Sequence, residues 1–184
     1  MAIRTLVTRG YGNGTFNGSI ALAATRGYTF AEGVEGGIII TVPMTIFVVS
    51  KQTAAAPGAD QVIFDARSDA GNQIKLFSDE SNDDKWSFDA GTGEIALSEA
   101  YDTDAHLFTI EYNGDATTKL TVSGVGDVTG DAGAEDWDFG SMFMNIAGAE
   151  TSIGSVLEFV IFDYKLNVEE IAAMQAYYVD RFAL

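Results

Sequence analysis

Carboxylates, one histidine and two tryptophans are the side chains in this sequence with chemistry to offer, and their spacing decides what that chemistry is. Glycoside hydrolysis needs two carboxyl groups flanking one bond, one as acid and the other as base or nucleophile. On a strand such a pair must be separated by an even number of residues, because successive side chains point to opposite faces. Glu158 and Asp163 lie five apart, Glu111 stands alone in its segment, and no E-x-D-x-E triplet occurs. His106 is the only histidine, so any Ser-His-Asp arrangement depends on it, yet no G-x-S-x-G surrounds a serine. It reads as a strand-start histidine with a structural hydrogen bond. The chain has no cysteine, which removes thiol nucleophiles, disulfides and thiolate metal sites.

Two binding chemistries are left. Asp79, Ser81 and Asp83, crowded by Glu80, Asn82 and Asp84, offer the hard oxygen donors that calcium takes. The stretch lacks the glycine and distal glutamate of an EF-hand loop. It therefore reads either as a structural calcium site, the one cofactor the sequence suggests, or as a solvated acidic turn. A second acidic stretch holds Asp127, Asp131, Glu135, Asp136 and Asp138. Glycan binding would use an exposed aromatic platform beside amides or carboxylates. Trp86 alternates with Phe88, which places both on the core face of a strand. Trp137, within Glu135-Asp136-Trp137-Asp138, is the candidate sugar platform, with core or interface anchoring as the competing role.

The elements that must position these groups are mostly strands. Short segments rich in β-branched and aromatic residues recur at Met44–Ser50, Gln61–Ala66, Gln73–Phe77, Lys85–Asp89, Glu94–Leu97, His106–Tyr112, Lys119–Ser123, Ser141–Ile146 and Ser155–Tyr164. A further segment, Ile38–Val42, precedes Pro43, which marks a bend or an edge. Asn113-Gly114-Asp115 is a strong turn signal between two of the strands. In His106–Tyr112, Leu107, Thr109 and Glu111 alternate with Phe108, Ile110 and Tyr112. One amphipathic helix closes the chain. Asn167 is its N-cap and Glu170 completes a capping box, while Ile171, Met174, Tyr178 and Phe182 form one stripe. Many short strands and one helix predict an all-β, antiparallel jelly-roll β-sandwich with a short C-terminal helix.

Composition and charge bound the partners. The sequence has 184 residues, 47% of them hydrophobic, enough for one sizeable core. No apolar run approaches the roughly 18 residues that span a membrane. Arg9 and a glycine cluster interrupt any signal-peptide core at the N-terminus. The formal net charge is -17, unevenly placed: residues 1–30 carry Arg4, Arg9 and Arg26 and no acid, leaving 7 bases against 27 acids in the rest. A body this acidic argues against nucleic acid. Residues 1–35 read as a glycine-rich arm or edge hairpin, with T-R-G-Y at Thr8–Tyr11 and again at Thr25–Tyr28 and short strand signals at Ile3–Val7 and Ile20–Ala24. Residues 36–184 read as the domain.

With its strands in order, the body resembles the concanavalin A-like lectin/glucanase jelly roll in its laminin-G-like form. The resemblance rests on T-I-F-V-V-S-K at Thr45–Lys51, Q-V-I-F-D at Gln61–Asp65, H-L-F-T-I-E-Y-N-G at His106–Gly114 and K-L-T-V-S-G at Lys119–Gly124. It also rests on the closing strand and helix, where Leu166, Asn167, Glu170, Ile171, Tyr178, Arg181 and Phe182 fit the ending of such domains. The opening R-T-L-V-T-R-G-Y-G and G-T-F-N-G-S-I resemble the start of small structural proteins of tailed bacteriophages. Together the two resemblances imply a non-enzymatic virion protein, a capsid decoration or cement protein on the outer capsid surface, made in the host cytoplasm. Its partners would be the major capsid protein and further copies of itself, a trimer being favoured over a dimer. The contacts would come from Arg4, Leu6, Arg9, Tyr11, Phe16, Ile20, Leu22, Arg26 and Tyr28. The alternative is a carbohydrate-binding, lectin-like module with glycans as partners. A third reading is a structural domain of a tail or fibre.

Overall fold

The computed structural model describes residues 20–21, 28–30, 42–52, 60–67, 73–91, 93–136, 139–142 and 154–184. The strands are β1 (Ile20–Ala21), β2 (Tyr28–Phe30), β3 (Met44–Gln52), β4 (Gln61–Arg67), β5 (Gln73–Asp79) and β6 (Lys85–Asp89). They continue as β7 (Glu94–Ala100), β8 (Ala105–Tyr112), β9 (Thr118–Val122), β10 (Gly126–Gly130), β11 (Phe139–Met142) and β12 (Gly154–Phe162), followed by helix α1 (Val168–Phe182). Two six-stranded antiparallel sheets result, in the orders β1-β12-β3-β8-β9-β10 and β2-β11-β4-β5-β6-β7. They form the jelly-roll sandwich expected from the strand pattern.

Alternation along the strands builds the core between the sheets. Phe108, Ile110 and Tyr112 of β8 point inward with Ile46 and Val48 of β3, and meet Phe64, Leu76, Trp86 and Phe88 from the other sheet. Trp86 packs edge-on against Phe108 with ring centroids 4.9 Å apart, so its place beside Phe88 is structural. Leu107 points the other way, to a second apolar cluster under α1.

Helix α1 forms where the local signals agree. The Asn167 side chain accepts from the Glu170 N–H, and the Glu170 carboxylate accepts from the Asn167 N–H, each at 2.9 Å. Ile171 and Tyr178 are buried, and Met174 and Phe182 pack beside them on Phe47, Val49 and Leu107. Phe47 and Tyr178 stand 5.7 Å apart, centroid to centroid. The linker into the helix is pinned to β3 by the Leu166 N–H, which donates to the Thr45 hydroxyl at 3.0 Å. Arg181 in the last turn reaches back to Glu158 of β12 at 2.9 Å.

The structure corrects the strand reading in three places. Gly126–Gly130 is a strand, where the sequence suggested an acidic loop around Asp127. A short edge strand needs little apolar content, and Val128, paired with Leu120, is the only bulky apolar residue in it. Gly130 is required there by packing, since a Cβ would come within 2.7 Å of Ile95 Cγ2 on the opposite sheet. The strand before Pro43 is not continued to Val42, which sits in a bend, and residues 38–41 lie outside the described set. Asp163 falls beyond the end of β12, so it shares no strand with Glu158. Of the N-terminal segment, β1 pairs with β12 and β2 with β11, which puts one short piece on an edge of each sheet.

Candidate functional site

His106, second residue of β8, has both ring nitrogens engaged. Nδ1 lies 2.8 Å from the Ser123 carbonyl oxygen and Nε2 2.7 Å from Asp102 Oδ1. The Ser123 hydroxyl faces elsewhere and accepts from the Leu107 N–H at 2.9 Å. Both ring nitrogens of the Asp-His pair are thus spent on structural contacts, and the ring ties the 101–104 loop to the β9–β10 turn. Glu158 is held by Arg181, and Glu111 stands opposite Lys119 in the β8–β9 register.

The Asp79 stretch is organised around its own backbone. Asp79 Oδ1 accepts from the Ser81 N–H and from the Ser81 hydroxyl, both at 2.8 Å, and so caps the single helical turn Glu80–Asn82. The Asp83 side chain is almost fully exposed and stands 3.8 Å from Lys85 Nζ. Among the described residues no three His, Asp or Glu side chains converge to hold a metal ion. Trp137 and Arg4, Leu6, Arg9, Tyr11, Phe16, Leu22 and Arg26 lie outside the described residues, while Ile20 and Tyr28 are placed as the first residues of β1 and β2.

The outer face of the β4-β5-β6-β7 sheet carries charge. Ile74 and Leu76 point into the core, so Gln73, Lys75 and Phe77 point away from it. Lys75 Nζ pairs with Asp60 Oδ2 at 2.9 Å and lies 3.7 Å from the Phe77 ring centroid. Asp65 and Asp89 flank Lys75 in register, and Gln73 Nε2 donates to Asp89 Oδ2 at 2.9 Å. Asp65, Lys75, Phe77, Asp79 and Ser87 are all buried. At the end of this face desolvation pushes the Glu94 carboxyl above its ordinary value; a Ser87 hydrogen bond opposes the shift, and the Asp79 charge adds to it.

The outer face of the other sheet holds an open groove. Helix α1 covers Phe47, Val49 and Leu107 but stops short of β9 and β10. The space left is about 390 Å³ and is bounded by Gln175 and Val179 of α1, by β8 and by the turn at Ser123–Gly126. Thr109, Thr121 and Asp127 stand in register across its floor on three adjacent strands. Gln175 Nε2 donates to Thr109 Oγ1 at 3.1 Å. Asp127 Oδ2 pairs with Lys119 Nζ at 3.0 Å. The alternation of Leu107, Thr109 and Glu111 gave one residue of this row, Thr109, in advance. Asp127 was named as part of an acidic stretch, but its place here and that of Gln175 were missed, because they depend on a strand with little apolar content and on how the helix docks.

No family model matches the sequence, and no curated protein sequence matches it. Among solved structures, the CBM40 module of the Ruminococcus gnavus IT-sialidase is similar over 85% of this chain and 95% of that one, with TM-score 0.60 and 11% identity. A Trypanosoma rangeli sialidase is similar over 83% of this chain and 28% of its own, with TM-score 0.54 and 15% identity. Domains LG4-5 of the mouse laminin alpha1 chain follow at 78% and 39%, with TM-score 0.51 and 16% identity. The chain spans only about a fifth to under a third of the sialidase chains it matches. At these identities the likeness shows a shared jelly-roll sandwich, the lectin-like fold that the strand pattern resembled.

Proposed function

We propose that this protein is a non-catalytic, lectin-like glycan-binding module. The observation that carries the reading is the distribution of the likeness. The chain spans nearly the whole of a carbohydrate-binding module but a small part of each sialidase. That module is also known bound to alpha2,3 sialyllactose. The engaged His106 and the scattered carboxylates support a binding role over a catalytic one. A glycan array probed with the full chain tests the proposal. Retention on a defined group of glycans is expected, and retention on none of them would end it.

One sequence observation favours a second reading, a decoration protein on a phage capsid with the major capsid protein as partner. Residues 1–30 carry three arginines and no acid on an otherwise strongly acidic chain. Such a segment suits an acidic neighbouring surface, and a trimer would multiply its weak contacts through effective concentration. The solved structures named above contribute nothing to this reading. Removing residues 1–30 separates the two: it abolishes capsid association under the second and leaves glycan retention under the first.

A further inference from the structure

We propose that the groove between α1 and the β9–β10 turn is the glycan site and that it takes a neutral saccharide rather than an anionic one. This rests on the glycan-binding reading and gives it a place and a ligand class. A volume of about 390 Å³ falls within the range of small-molecule sites. Thr121 and Asp127 sit on adjacent strands about 4.8 Å apart, a spacing comparable to that of alternate hydroxyls on a pyranose ring, while the buried Thr109 anchors Gln175 beside them. The Thr121 hydroxyl makes no hydrogen bond among the described residues. Gln175 uses one amide N–H on Thr109, which leaves its carbonyl oxygen and second N–H for a ligand. The Asp127–Lys119 pair uses Oδ2 and leaves Oδ1. Val125 and Val179 supply apolar surface for the C–H faces of a sugar. At the mouth, a Cβ added to Gly124 would meet nothing within 4 Å, so the turn leaves room above the floor.

Charge selects the class. Among the described residues the groove lining carries one ionisable side chain, the Asp127 carboxylate, and the lysine beside it is already paired. Holding a sugar carboxylate calls for a cation aimed at it, since charge-assisted hydrogen bonds are the strong ones. None of the described residues lining this groove supplies one, and a net charge of -17 repels anions at a distance. The same groups suit neutral hydroxyls, which both donate and accept.

Amide chemical shifts of the full chain, followed during titration with lactose and with alpha2,3 sialyllactose and then with the best ligands from the array, test the proposal. Neutral saccharides are expected to shift Thr121, Ser123, Gly124 and Gln175, with sialylation giving no gain. Thr121→Val keeps the shape and β-propensity of the strand and should weaken binding about tenfold, roughly what one lost hydrogen bond carries. Gln175→Leu, on the helix, is an independent second variant with the same expected sense. Binding that maps to another face, or that both variants leave unchanged, overturns the groove while the glycan-binding reading stands. Tighter binding of sialylated glycans overturns the neutral class. Absence of any saccharide binding, in the array and at millimolar ligand alike, overturns both readings.

Discussion

On its outer face, the sheet containing β3 and β8 puts Phe47, Val49 and Leu107 beneath a helix, while the sheet containing β4 and β5 puts Asp65, Lys75 and Asp89 side by side. Both sets of residues are buried, except Asp89, which is half-buried. They are stabilised by different physics. Apolar side chains under α1 gain from removal of surface from water, which is non-directional and scales with area. The charged set is held by specific pairs, and each partner depends on the other. A helix narrower than the sheet it covers leaves a groove at its border. The face of interlocked charges turns Lys75 toward Asp60 and Gln73 toward Asp89 instead of toward solvent.

The largest expected effect breaks the apolar side. Tyr178→Ala removes the ring that contacts Phe47 and stacks on Phe182. A truncation of this size in a packed cluster costs about 3–5 kcal/mol. Urea unfolding monitored by circular dichroism should show a correspondingly lower midpoint at unchanged slope. A loss below 1 kcal/mol would mean that α1 does not hold this face.

The charged side should respond to a change of charge more than of volume. Lys75→Met keeps most of the aliphatic stem but takes the ammonium away from Asp60 and from the Phe77 ring. Breaking one partner of a buried pair costs about 3–5 kcal/mol when both are enclosed. Asp60 retains some contact with water, so about 2–3 kcal/mol is expected. Adding Asp60→Asn should recover part of the loss, and the coupling is read from a double-mutant cycle. Additive losses would show that the pair is incidental.

The apolar side was far more legible in the sequence than the charged side. Asn167, Glu170 and the Ile171–Met174–Tyr178–Phe182 stripe all act locally, within two or three turns, so their meaning survives without the rest of the chain. The inward face of β8 was equally plain, because strict alternation leaves one face for Phe108, Ile110 and Tyr112. Lys75 gave no such signal. Its burial and its partner follow from strand register and from a residue 15 positions away, neither of which periodicity records. The groove failed to show for a related reason. Thr121 and Asp127 became neighbours only once Gly126–Gly130 paired as a strand, and Gln175 joined them only through docking of the helix.

A smaller effect isolates the end of the helix from its face. Asn167→Ala removes the side-chain half of the capping box and leaves the buried stripe untouched. About 1 kcal/mol is expected, visible as a modest shift of the unfolding midpoint. Asn167→Asp should restore most of it, since aspartate caps as well as asparagine and favours the positive end of the helix dipole. A loss as large as that of Tyr178→Ala would place the strength of this face in the cap rather than in the packing.

The smallest effect probes the charged face at its rim. Burial of the Glu94 carboxyl raises its pKa above the ordinary 4.5, with the Asp79 and Asp89 charges acting in the same direction. An acid whose folded pKa is raised holds its proton more tightly in the folded state than in the unfolded one. Its contribution is then most favourable at low pH and falls as pH rises from about the ordinary value through the raised one. Glu94→Gln removes that fall. The residue as a whole is exposed, so solvent screens the effect and the gain at neutral pH should be only a few tenths of a kcal/mol. Stability curves of the two proteins should converge at acidic pH, below the titration window, and separate above it. A variant less stable than the parent at neutral pH would show that the hydrogen bond to Ser87 outweighs desolvation, and that this rim belongs with the interlocked pairs around Lys75.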